Sequence, residues 1–198
     1  MTSPTVFHPF TGIKPLPWLT GLGLALALVQ SQVHAQGFEV SSPSFTADGR
    51  LTQAHVFAGF GCEGGNQSPA LVWTTPPEGT QSLAITAYDP DAPTGSGWWH
   101  WVVTNLPPQT TQLPTNAGRA DGQGLPAGAV QGRTDFGTVG YGGACPPVGD
   151  APHRYRFTVH ALKVPRLDLP ADASAALVGY MLHMNRIAST TVEARYGR

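Results

Sequence analysis

The sequence predicts a mainly β domain, and three observations carry that expectation. Glycine (24) and proline (19) together make 43 of the 198 residues, a turn-rich composition that stops short of the low-complexity range. Apolar segments are short and bounded by turn residues. The clearest of them, 154–162, alternates: Tyr155, Phe157, Val159 and Ala161 share one face, and Arg154, Arg156, Thr158 and His160 share the other.

Taken in order, the first 35 residues read as a secretory leader. They hold one charged side chain, Lys14, and the first acid is Glu39. Leu19 to Val29 (LTGLGLALALV) has the length of a signal-peptide core, and Val33-His34-Ala35 places small residues at −3 and −1 of a cleavage site. Cleavage after Ala35 leaves one domain, 36–198, in the periplasm or outside the cell; an uncleaved anchor or a buried helix is the alternative. Strands are expected at 38–45, 54–60, 70–75, 82–88, 100–105 and 154–162. The run 82–88 is apolar on both faces, which marks a central strand. Residues 106–149 form a long Gly-rich connection, a length that is usually functional or threaded over the surface. From 173 to 196, Leu177, Met181, Met184, Ile187, Ala188 and Val192 recur at helical spacing, so one or two helices are expected, with Asp172 as N-cap and the methionines as core filler.

Net charge is −1 and charged residues are 12% of the chain. No basic stripe points to nucleic acid, and no apolar run is long enough for a stable membrane span. Two cysteines, Cys62 and Cys145, lie in Gly/Pro-rich loops. After export a single pair usually forms one disulfide; two separate thiols remain the alternative. Their spacing lacks the close pairs of a zinc site, and no metal or cofactor is expected.

Chemistry concentrates at Asp89-Pro90-Asp91-Ala92-Pro93, which follows the apolar run into a stiff loop. In an extended chain Asp89 and Asp91 point the same way; alternatively they cap the loop by accepting its N–H groups. His100 sits in Trp98-Trp99-His100-Trp101. His153 shares the parity of Tyr155 and Phe157, so it faces inward where the Gly142–Gly149 loop arrives. A histidine bonded to a loop carbonyl is the plainer alternative. The loop amides could form an anion nest, and the histidines could donate to an anion.

The ordered set DPDAP (89–93), HWVVTNLP (100–107), DFG (135–137), GYGGACPP (140–147) and HRYRF (153–157) resembles the phosphatidylethanolamine-binding protein family, in its bacterial Raf-kinase-inhibitor-like branch. FGCEGGNQSP (60–69) and the C-terminal segment resemble that branch too. Cys145 departs from the eukaryotic pattern, which has a second glycine there. The resemblance implies a Greek-key antiparallel β-sandwich-like fold with peripheral and C-terminal helices. It also implies a small anion pocket for phosphate or a phospholipid headgroup, lined by Asp89, Asp91, His100, Gly143, Pro147, His153 and Tyr155. A zwitterionic ligand reconciles the acids with the phosphate: phosphate toward the histidines, amine toward the carboxylates.

Three classes of function follow. The first is a binding protein for a phosphate-containing or zwitterionic small ligand. The second is a secreted inhibitor or signalling partner, a protease or kinase regulator, using the loops of 106–135. The third is a hydrolase, for which no nucleophile elbow or HExxH motif is present. The identity of a protein partner and a homodimer both stay open.

Overall fold

The computed structural model describes residues 1–2 and 37–198. The cleavage site and nearly all of the expected leader therefore lie outside the described residues. Short strands open the chain: β1 (Val40–Ser41), β2 (Ala58–Gly59), β3 (Cys62–Glu63) and β4 (Leu71–Trp73). Long ones follow, β5 (Ser82–Asp89) and β6 (Trp98–Leu106), then the short β7 (Gln112–Leu113) and β8 (Val130–Gln131). The chain closes with β9 (His153–Leu162), helix α1 (Ala175–Asn185) and β10 (Arg186–Tyr196). Residues 37–198 pack as one unit.

The long strands form an antiparallel sheet in the order β10-β9-β5-β6-β8, and β1-β4-β7 forms a second, smaller sheet. The apolar run 82–88 is central, as its two apolar faces require, with β9 on one side and β6 on the other. One face of the large sheet presents Leu83, Ile85, Trp101, Val103, Phe157 and Val159 to Leu71, Trp73 and Leu113 of the small sheet. The opposite face, through Ala84, Val102 and Leu162, receives α1 by Ala175, Val178 and Leu182. The product is a mainly β sandwich with one helix layer. Trp101 anchors the first core fully buried, and its indole N–H donates to Gln131 Oε1 at 2.8 Å. Truncating an aromatic at such a site typically costs about 3–5 kcal/mol.

Four local expectations are corrected. The segment 54–60 is mostly not strand: a 3-10 turn occupies Gln53–His55, Val56 makes an isolated bridge to Ala144, and Ala58–Gly59 pairs with Cys62–Glu63. The chain leaves the helix at Asn185, and 186–196 is strand β10, paired with β9 from Arg186↔Leu162 to Tyr196↔His153. Ile187, Thr190, Thr191 and Val192 are β-branched, and pairing with the open edge of β9 outweighs a helical spacing that helices and edge strands can both produce. The buried helix face also differs. Leu177 and Met184 are 40% and 52% exposed, so Met184 is not core filler, while Met181 packs on the second core. The cap is Ser174, whose hydroxyl accepts the Leu177 N–H at 3.2 Å, not Asp172.

Candidate functional site

Asp89 is the last residue of β5. Pro90 stops the ladder there, and the chain turns back on the Asp89 side chain. Its Oδ1 accepts the N–H of Asp91 (2.8 Å) and of Ala92 (3.2 Å), while Oδ2 accepts His153 Nδ1–H at 2.7 Å. Loop capping and pairing with a histidine are thus both done by Asp89, one oxygen each. Asp91 does not share its direction. Because the strand ends between them, alternation no longer applies, and Asp91 takes Arg154 in a two-pronged pair (2.9 and 2.6 Å) plus the Arg154 N–H (2.8 Å). Those hydrogen bonds hold its carboxyl down at about 2. Arg154 lies on the opposite face of β9 from His153, so Asp91 is drawn away from the cavity that Asp89 enters.

His100 reaches that cavity through a β-bulge. Ala87 pairs with Trp101 and Tyr88 with Trp99, so His100 is the extra residue of β6. A bulge re-aims a side chain, and this one turns His100 edge-on to Tyr155 of β9, with ring centroids 5.2 Å apart. His100 Nδ1 lies 2.7 Å from the Gly142 carbonyl. A carbonyl can only accept, so Nδ1 carries the hydrogen and Nε2 is the nitrogen left for the cavity. Burial pushes the His100 pKa down, against the Gly142 carbonyl and Asp89, which favour the charged ring.

The loop 135–147 closes the site. Asp135 exchanges hydrogen bonds with the Trp99 backbone, its carboxylate accepting the N–H at 2.8 Å. This sets Phe136 edge-on to both Trp98 and His100. Gly142 lies against the Phe136 ring, where a Cβ would collide with it. Gly143 packs against the His55–Phe57 backbone, and a Cβ there would come within 2.5 Å of Phe57 N. Three amides of the expected anion nest are already spent inside the protein. Gly142 N–H donates to His100 O, Gly143 N–H to Asn66 Oδ1 (2.7 Å) and Ala144 N–H to His55 O, and prolines follow at 146 and 147. Cys62 and Cys145 are bonded to each other, tying β3 to this loop.

These elements enclose a cavity of about 190 Å³. Of the residues singled out in the sequence, Asp89, His100, Pro147, His153 and Tyr155 line it; Asp91 and Gly143 do not. The lining also includes Phe60, Trp98, Phe136 and Cys145, giving mostly apolar walls. Within them Trp98 Nε1 and Tyr155 Oη are buried without a hydrogen-bond partner among the described residues. Burial, reinforced by Asp89, raises the Tyr155 phenol far above its ordinary value, so it stays a neutral O–H. His153 Nε2 faces Asp150 Oδ2 at 3.5 Å, a half-exposed carboxylate outside the cavity lining. Trp98 and Phe136 escape sequence reading as site residues because an aromatic beside a strand usually means core.

A model of the family described as phosphatidylethanolamine-binding protein matches residues 41–197. The chain belongs to the phosphatidylethanolamine-binding protein family. It is 56% identical over 171 residues to the UPF0098 protein YbcL of Escherichia coli K12, a match covering 86% of this chain and 93% of that one. The crystal structure of E. coli YbcL, described as a new member of the mammalian PEBP family, superposes with a TM-score of 0.79 at 57% identity, covering 81% of this chain and 98% of that one. LppC of Mycobacterium tuberculosis, whose name describes it as a lipoprotein, is 39% identical over 140 residues, 71% of this chain and 62% of that protein. No helix among the described residues is long and apolar enough to cross a membrane.

Proposed function

We propose that this family member is an envelope or secreted binding protein whose cavity holds a phosphate-containing ligand the size of a headgroup, without turning it over. The observation that carries the reading is the pair of unpartnered buried donors, Trp98 Nε1–H and Tyr155 Oη–H, beside the Asp89–His153 pair. A buried donor without a partner costs about 1–3 kcal/mol, and an acceptor-rich ligand seated against the Trp98 and Tyr155 side chains of the lining would offset that cost. The cavity, at about 190 Å³, is below the roughly 300–1,000 Å³ of drug-sized sites, which suits a headgroup rather than acyl chains.

Two potential nucleophiles of the lining are committed: Thr94 Oγ1 donates to Gly97 O, and Cys145 is in the disulfide. This supports binding over covalent turnover. The leader-like run expected from the sequence and the lipoprotein name of LppC support the envelope setting. Calorimetry with inorganic phosphate and phosphoethanolamine tests the reading on the unaltered protein, His153→Ala and Tyr155→Phe. Tyr155→Phe should bind roughly 10- to 150-fold more weakly, the worth of one hydrogen bond to a charged group; His153→Ala, which leaves the buried Asp89 carboxylate unpaired beside the anion, should weaken binding at least as much, both with native circular dichroism. Unchanged affinity in both variants, or release of inorganic phosphate from phosphoethanolamine, would overturn it.

A further inference from the structure

The cavity's polar atoms differ in sign. Trp98 Nε1 can only donate, and the neutral Tyr155 phenol has a hydrogen to give. His100 Nε2 is the opposite. Its ring hydrogen is spent on the Gly142 carbonyl, so in the neutral ring Nε2 offers a lone pair. A ligand that satisfies all three groups brings oxygens for the two donors and a hydrogen for His100.

We propose that the pocket selects phosphomonoesters over phosphodiesters through His100 Nε2, which takes a hydrogen bond from the P–OH of a singly protonated monoester. The proposal rests on the phosphate reading above and names its ligand class. A diester, the linkage of an intact phospholipid headgroup, has no hydrogen on its phosphate. It leaves Nε2 unpaired or forces a proton from solvent onto a ring whose charged form burial disfavours. The groups acting on His100 from the surrounding elements are Asp89 on β5, His153 and Tyr155 on β9, and Asp135 on the 135–147 loop. The two carboxylates favour a proton near Nε2, which helps hold the ligand's hydrogen in place.

The proton count follows. A phosphomonoester loses its second proton near pH 6. Binding from solution at about pH 8 therefore takes up close to one proton per ligand, and at about pH 5 almost none. Affinity for total monoester should fall about tenfold per pH unit above that pKa.

Methyl phosphate and dimethyl phosphate, which differ by one methyl group, test the selection without a large change in size. Glycerophosphoethanolamine stands in for the intact headgroup and phosphoethanolamine for the free monoester. Calorimetry in buffers of different ionisation enthalpy reads affinity and proton uptake together. Methyl phosphate should bind the unaltered protein about 10-fold or more tighter than dimethyl phosphate, the cost of one unmade buried hydrogen bond. Uptake should be near one proton at the higher pH, and phosphoethanolamine should outbind glycerophosphoethanolamine. His100→Gln, whose amide can donate or accept, should bring the two methyl esters to similar affinity. Equal or tighter dimethyl phosphate, no proton uptake, or a preference that survives His100→Gln would each overturn the proposal while leaving the phosphate reading standing. Failure of all four compounds to bind would overturn both. The proton count on the unaltered protein decides the matter if His100→Gln does not fold.

Discussion

His153 Nδ1 lies 2.7 Å from Asp89 Oδ2, and both side chains are almost wholly buried. The same carboxylate, through its other oxygen, closes the turn that ends β5. One residue therefore fixes the loop at the cavity mouth and the tautomer of its histidine. Asp89→Asn keeps an oxygen for the turn but loses the charge behind His153. Phosphate affinity should fall about 10-fold or more, as for a lost charge-assisted hydrogen bond. Asp89→Ala should lose stability in addition, by about 1–3 kcal/mol for the unmade turn bonds. Calorimetry and urea denaturation on both variants separate the two roles; equal stability loss would assign the whole effect to the ion pair.

Gly143 tests the packing role of the 140–147 loop. If its amide were part of an anion nest, Gly143→Ala would weaken binding and leave the fold alone. The close approach to the His55–Phe57 backbone predicts the reverse emphasis. Gly143→Ala should destabilise the protein by about 1–3 kcal/mol, the usual cost of overpacking, as read by urea denaturation. An unchanged unfolding midpoint would contradict the packing role.

The Cys62–Cys145 bridge closes a sequence separation of 83 residues. Replacing both cysteines by serine should cost about 2–5 kcal/mol. Hydrogen exchange should accelerate mainly at 57–63 and 142–149, since those loops carry few ladder bonds, while β5 and β9 stay protected. Exchange that rises equally across the large sheet would show that the bridge acts on global stability alone.

His160 supplies a pH dependence on the far face of the sheet. It is buried, its Nε2 lies 3.0 Å from Thr86 Oγ1, and burial lowers its pKa to about 4. An unfolded histidine titrates near 6.5, so between those values the unfolded chain binds the extra proton. Stability from this group is intact above about pH 6.5 and is lost as pH falls toward 4, on the order of 3 kcal/mol in all. His160→Gln should flatten that limb in urea denaturation followed from neutral to acidic pH. An unaltered slope would move the acid sensitivity to other groups.

The large sheet was legible in the sequence because its strands obey the period of two. Parity alone placed His153 and Tyr155 on one face. What stayed hidden depends on departures from that period. His100 lies in a bulge, so counting along β6 gives it the wrong face. Asp91 follows a strand end, so counting from Asp89 fails as well. The stretch 186–196 looks helical by spacing, and only its partner β9 makes it a strand. The loop glycines signal close approach but not what approaches: an aromatic ring for Gly142 and a neighbouring backbone for Gly143. Trp98 and Phe136 carry no polar signature, and their part in the site appears only when the 135–147 loop folds over β6.

Titration of isotope-labelled protein with inorganic phosphate, followed at the indole N–H resonances, tests the central claim most directly. Trp73 and Trp101 already donate, to Thr110 O and Gln131 Oε1, and their signals should hold still. The Trp98 signal, assigned by its loss in Trp98→Phe, should move saturably downfield as its free N–H gains an oxygen. A Trp98 resonance that stays in place while calorimetry shows phosphate bound would contradict the account.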